Sequence, residues 1–168
     1  LPTITPLFVA GGLPVGGAGL TAFAANSGLP GDALYSLKTS IESARLGMVS
    51  DPAAQARMFL DFAGKRLTEI QSLIQQGRYA DIAQATAEFE DYIRQALSAV
   101  QTLAQSDPAQ AASLNLEISN TLVNYSAALT QMLASVPTEV QPVLQSAITS
   151  TQSSSDTSDD SSNTNDDS

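Results

Sequence analysis

Four polar side chains near the start of the charged part of this chain follow one another at helical steps. Tyr35, Lys38, Glu42 and Arg45 are separated by three, four and three residues. On a helix they lie along one side, with Lys38–Glu42 and Glu42–Arg45 close enough to pair. Two chemistries are open to such a stripe. It can face a ligand or a protein partner, or it can be a capped helix edge whose ion pairs contribute only about 0.2–0.5 kcal/mol each, with Tyr35 packing its ring on a later helix. Asp32, just upstream, is expected to cap this helix.

The remaining polar groups offer less. Lys65 and Arg66 sit among Asp61 and Glu69; Arg66 lies beside an apolar stripe and is expected to snorkel or to bridge a carboxylate at Glu88, Glu90 or Asp91. That trio could supply a pair of acid/base carboxylates, but helical spacing splays Glu90 from Asp91, so a solvated face is expected. Tyr79, Tyr92 and Tyr125 with Phe59, Phe62 and Phe89 are expected as the large core residues rather than as a ligand pocket. The glycines at 11–19 lack the Lys-Ser/Thr and the flanking strand of a phosphate loop.

The chain has no His and no Cys. It therefore has no imidazole base, no thiolate nucleophile and no His- or Cys-ligated metal. A ferritin-like di-iron site, which normally needs Glu-x-x-His on two helices, is excluded as well. Catalytic, cofactor and metal-ligating residues are accordingly expected to be none. A hydrolase using carboxylates alone is the weakest of the readings.

Charge points the same way. The 168 residues carry a net −10, with only 14% charged and 43% hydrophobic. Residues 153–168 hold five Asp and no cation, so seventeen acids less five leaves twelve against seven bases. Neither part offers a basic surface for phosphate, so neither nucleic acid nor anionic lipid headgroups are expected as partners.

The elements that must position these residues are read from apolar periodicity. No charge occurs before Asp32, and Leu7–Ala25 is nineteen apolar or small residues, close to the about 20 needed to span a bilayer. Its glycines and Pro14 weaken it as a helix, it has no basic flank, and Ala22-Phe23-Ala24 has the form of a signal-peptidase site. A signal or anchor segment is expected, with a leader docked on the domain and an assembly segment as alternatives. The first residue is Leu, so the chain is expected to be processed or a fragment.

A first helix is expected from Asp32 to about Ser50, burying Leu34, Leu37, Ile41, Ala44 and Met48. Ser-Asp-Pro at 50–52 and again at 106–108 starts two more, with Asp as cap and Pro at the first helical position. The second helix should bury Phe59, Phe62, Ala63, Leu67, Ile70 and Ile74 and stop at Gly77. The third should run from Tyr79 to Gln105. The fourth should bury Leu114, Ile118, Leu122, Tyr125, Leu129 and Met132 or Leu133, and a short fifth would follow Pro137. The fold class is all-α, an up-and-down antiparallel bundle of about four helices. Residues 1–28 form the apolar segment, 29–150 the bundle and 151–168 a disordered acidic tail, whose Asp residues lack the spacing of a calcium loop.

The segment LPGDALYSLK at 29–38, with Ile41, Glu42 and Arg45, and then DPAAQARMFLDFAGKRLTEIQSLI, resembles a bacterial family, a domain of unknown function with a Pro-Gly-Asp-x-Leu-Tyr-x-Leu-Lys stretch. Some copies look like the outer region of membrane-spanning anti-sigma factors. Ala63-Gly64-Lys65-Arg66-Leu67-Thr68-Glu69 stands where the family has an Ala-Glu-Arg-Arg-Leu-x-Glu-like centre, with Gly64 in place of the usual acid; Ser36 stands where Pro is common. The resemblance covers about residues 29–105 and implies fold and location, not catalysis. A sigma-binding module is not found among these 168 residues. The expected function is a non-catalytic extracytoplasmic module for protein interaction, sensing or envelope structure. Its partners would be an envelope protein and the membrane through the N-terminal segment. The alternative is a carrier holding a small apolar ligand between its helices.

Overall fold

The computed structural model describes residues 28–159. The apolar run at 7–25 and the last nine residues lie outside the described residues. Within them the structure is five α-helices and one 3-10 turn, with no strand: α1 (Tyr35–Gly47), α2 (Pro52–Gln75), a turn at Tyr79–Asp81, α3 (Ile82–Ser106), α4 (Pro108–Leu133) and α5 (Gln141–Asp159). Among the described residues no helix is long and apolar enough to cross a membrane.

Both Ser-Asp-Pro devices work as their chemistry dictates. The Asp51 carboxylate accepts the Ala54 N–H at 2.9 Å and Asp107 accepts that of Gln110 at 2.9 Å, with Pro52 and Pro108 opening the helices. Each carboxylate satisfies one amide that the helix start leaves orphaned. Gly77 ends the turn after α2 with φ +67, a left-handed conformation that costs glycine nothing.

Helices α2 to α5 pack on one another around a core of Leu60, Ile70, Leu73, Phe89, Ile93, Val100, Leu114, Ile118, Leu122, Leu129 and Leu144. The 3-and-4 spacing of these residues puts them on one side of each helix. Phe59, Ile74, Tyr125 and Met132, expected inside, are partly buried against this cluster. Tyr92 packs on Phe62 at 5.4 Å between ring centroids and Tyr125 on Phe89 at 5.9 Å, so the aromatics belong to the core and its edge.

Two features depart from expectation. The fifth helix is long: residues 151–159, expected to open a disordered tail, continue α5. Thr151 is buried, with its hydroxyl donating to the Ile148 carbonyl at 2.7 Å, and Ser154 donates likewise to Ser150. Both hydroxyls are satisfied by carbonyls of the helix itself.

The second departure is α1, which is turned over. Leu34, Leu37, Ile41, Ala44 and Met48, expected inside, are exposed, while Tyr35, Lys38 and Glu42 are buried. Periodicity says which residues share a face, and solvent is assumed to take the polar one. Here complementary charge on α2 and hydrogen-bonding groups on α3 take it instead.

Candidate functional site

The site begins with Arg66. It occupies the core register of α2, between Ala63 and Ile70, and its side chain is 0% exposed. A guanidinium cannot shed its proton and burial removes its hydration, so it must be met by acceptors on every side. Four residues meet it. Glu69, one turn along α2, accepts from Nη1 at 2.7 Å. Glu42 of α1 pairs with Nη2. Glu88 of α3 has Oε2 3.2 Å from Nε, without the alignment of a hydrogen bond. The Tyr35 hydroxyl accepts from Nη1 at 3.0 Å and in turn donates to Glu88. The rings of Tyr35 and Tyr92 stand 5.4 and 5.5 Å from the guanidinium carbon, within range of cation–π attraction.

Lys38 completes the cluster. Its ammonium pairs with Glu69 and reaches the Gly28 carbonyl at 3.4 Å. Tyr92 donates to Glu42 at 3.3 Å. Two cations thus face three carboxylates, and α1 is attached to α2 through charge and to α3 through the hydrogen bonds of Tyr35 and Tyr92. Burial pushes the Glu42 carboxyl above the ordinary carboxylate range, partly offset by Arg66 and Lys38. Burial also works against the Arg66 charge, but Glu69 and Glu42 outweigh it and raise its pKa. The phenols of Tyr35 and Tyr92 are raised, first by burial. Glu42 Oε1 is buried without a hydrogen-bond partner among the described residues, so the network is incompletely satisfied.

A second contact holds the chain just before α1. Leu29–Asp32 is a tight turn: the Asp32 N–H donates to the Leu29 carbonyl at 2.9 Å, and Gly31 has φ +89. Pro30 followed by a left-handed glycine is the signature of a type II turn. Asp32 accepts the Leu29 N–H at 2.8 Å rather than capping α1, whose N-cap residue is Leu34 with no side-chain cap. Arg78, beyond the end of α2, clasps this turn. It donates to the Pro30 carbonyl at 2.7 Å and pairs with Asp32 and Asp81, each at 2.9 Å. The Leu29 amide first, and then Arg78, hold the Asp32 carboxyl below its ordinary range.

Of the stripe Tyr35, Lys38, Glu42 and Arg45, three residues come together in this buried dock and Arg45 stays exposed on the outer surface. The bridge from Arg66 to Glu88 is present. Glu90 and Asp91 turn elsewhere, Glu90 to Ser146 at 2.9 Å and Asp91 to Arg94 at 2.8 Å, so the trio is not a carboxylate pair. Glu69 was legible as a helix-edge charge but not as the shared partner of Lys38 and Arg66. A cation at a core register of one helix and an acid at the inner edge of another were the available signal.

A cleft of about 560 Å³ opens beside the dock between α1 and α3, lined among others by Asp32, Tyr35, Ser36, Glu88, Asp91 and Tyr92. Among the described residues no group of three or more acids could hold a metal ion. The cluster binds α1 to the bundle and pairs most of its buried charge. Both segments that carried the resemblance, 29–45 and the Arg66–Glu69 centre, meet in this dock. No curated protein and no solved structure was found to match the chain. The family whose model matches residues 27–167 is DUF5667, a domain of unknown function, and the chain belongs to that family.

Proposed function

We propose that this domain is a non-catalytic module held outside the cytoplasmic membrane of a bacterium, where it serves protein interaction, sensing or envelope structure. The observation that carries this reading is the use made of the reactive-looking side chains. Arg66, Glu69, Glu42, Lys38, Tyr35 and Glu88 are engaged with one another, and what they accomplish is to fasten α1 to the bundle. α1 is the first helix after the apolar run at 7–25. With that run as an anchor, the dock is the joint between membrane and bundle. The resemblance of residues 29–105 to a family some of whose copies look like the outer region of membrane-spanning anti-sigma factors supports the same location.

The carrier reading draws less support. The cleft beside the dock presents carboxylates and hydroxyls, a poor match for an apolar molecule. A groove of about 420 Å³ between α4 and α5, with Leu122, Val123 and Ala127 in its lining, is where such a ligand would have to sit.

The test is location. The complete reading frame is expressed in a bacterium, the cells are fractionated, and intact cells are exposed to protease. The module is expected with the membrane and trimmed from outside. A protected chain in the soluble cytosolic fraction overturns the reading.

A further inference from the structure

The outer face of α1 has no partner within the described bundle. Leu34, Leu37 and Ile41 are 37–42% exposed and Met48 is 87% exposed. At about 100° per residue these four and Ala44 fall within an arc of roughly 80° running the length of the helix. We infer that this face lies on the lipid bilayer, in the interfacial layer beside the point where the chain leaves the membrane. The inference rests on the anchored reading above and adds to it a surface and an orientation.

Three observations select lipid as the occupant. The first is reach. The apolar run ends at Ala25, nine residues before Leu34, so α1 begins at most about 30 Å along the chain from that end. The second is charge. α2, α3 and α4 each expose a carboxylate, Asp61, Asp91 and Glu117, whereas the only exposed charge on α1 is Arg45. A face with a single cation and no acid is the part of a −10 chain that phosphate headgroups repel least, and an arginine at the edge of an apolar stripe can extend to them. The third is the hydroxyl bordering the stripe. Ser40 donates to the Ser36 carbonyl at 2.8 Å, so its hydrogen is already committed when water is withdrawn. A second copy fits the face less well, because four partly exposed side chains fall short of the about 800 Å² per partner of a standard interface.

The chain has no Trp, which gives a direct test. Leu37→Trp and Met48→Trp place a single emitter on the face, and Val123→Trp places one on α4, where Val123 is also exposed. The full chain is mixed with phosphatidylcholine vesicles, with and without brominated acyl chains, and floated. Both α1 variants are expected to shift to the blue and to lose about half their emission to bromine, as a helix buried to the headgroup–acyl boundary requires. The α4 variant stays water-like. If the chain floats and the α1 positions remain water-like, the inference fails and the anchored reading stands. Equal quenching at α1 and α4 also overturns it, since no face is then selected. A blue shift without vesicles overturns it too, because the chain's own N-terminal segment or a second copy then covers α1, and sedimentation equilibrium tells which. A chain that does not float removes the anchored reading and the inference together.

Discussion

The bundle α2–α5 and the helix α1 are built on opposite rules. In the bundle, Leu, Ile, Val and Phe mostly point inward, with Leu116 and Val123 of α4 as exposed exceptions. In α1, Tyr35, Lys38 and Glu42 point inward and the leucines point out. Apolar burial is non-directional and tolerates repacking, while a buried ion cluster has value only in its complete geometry. The bundle should therefore lose stability gradually when a core residue shrinks, and α1 should detach when one member of the dock is removed.

Arg66→Ala breaks the contrast at its strongest point. It leaves Glu42 and Glu69 buried without their shared cation, and uncompensated buried charge costs about 3–5 kcal/mol. The expected outcome is loss of amide protection over residues 35–47 at conditions where α3 and α4 remain protected. Leu122→Ala, in the centre of the bundle, has a cost of similar size, about 2–5 kcal/mol, but distributes it over the cooperative unit and lowers protection in α3 and α4 as well. Hydrogen exchange on the two variants, with denaturant unfolding for the totals, checks this. Equal loss everywhere in both would show that α1 and the bundle are one unit.

Two glycines repeat the comparison with smaller effects. Gly31, at φ +89, faces the Arg78 guanidinium and Asp81, each 3.0 Å from where a Cβ would stand. Gly31→Ala is expected to lose about 1–2 kcal/mol from the left-handed backbone alone and to loosen the clasp before α1. Gly64 lies in α2, and a Cβ there would come within 2.7 Å of the Tyr125 hydroxyl, which donates to the Leu60 carbonyl at 2.8 Å. Gly64→Ala displaces that hydroxyl, and the helix propensity gained, about 1 kcal/mol, offsets part of the loss. Thermal melts should rank Gly31→Ala as the more damaging, with its exchange confined to residues 28–47.

The bundle was legible because its helices bury what periodicity says they bury. α2 and α4 were also legible at their starts, through Asp51-Pro52 and Asp107-Pro108. α1 was not, because its apolar stripe is as regular as any other, and one helix considered alone gives no reason to put Lys38 and Glu42 inside. The reason lies on α2, where Arg66 interrupts the run Ala63, Leu67, Ile70 and Leu73 at a buried register. Arg66 had been matched to the acids at 88–91, which found Glu88 and missed Glu42. The length of α5 was hidden for a different reason. After Ile148 the residues are Thr, Ser, Gln and Asp, whose composition is that of a solvated tail, and the burial of Thr151 against the bundle is not written in that composition.

Acidity sharpens the difference between dock and clasp. Glu42 has its pKa raised by burial, so the folded state holds its proton more tightly than the unfolded chain. Its contribution is present in full below the unfolded pKa and is lost as pH rises through the raised folded value. Asp32 is lowered, so its contribution is present above the unfolded pKa and is lost as pH falls through the folded one. Glu42→Gln should remove the loss on the alkaline side of the ordinary carboxylate range and keep the loss at acid pH. Asp32→Asn should do the reverse. Denaturant midpoints across that range, for the chain and both variants, give the sign directly.

The smallest expected effect tests the face of α1 that no ion pair explains. Replacing a buried leucine with glutamine withdraws apolar area from the core and buries an amide, which costs several kcal/mol. Replacing an exposed one changes little, typically within about 0.5 kcal/mol. Leu37→Gln and Met48→Gln, singly and together, should leave the denaturant midpoint of the vesicle-free protein unchanged within that margin. The same substitution at Leu114 or Ile118, fully buried in α4, should unfold the bundle at far lower denaturant. A large cost at Leu37 would mean that the stripe is covered in the isolated chain. The contrast between an inverted α1 and an ordinary bundle would then be a contrast between two covered surfaces, and what covers α1 would have to be sought within the chain itself or in a second copy.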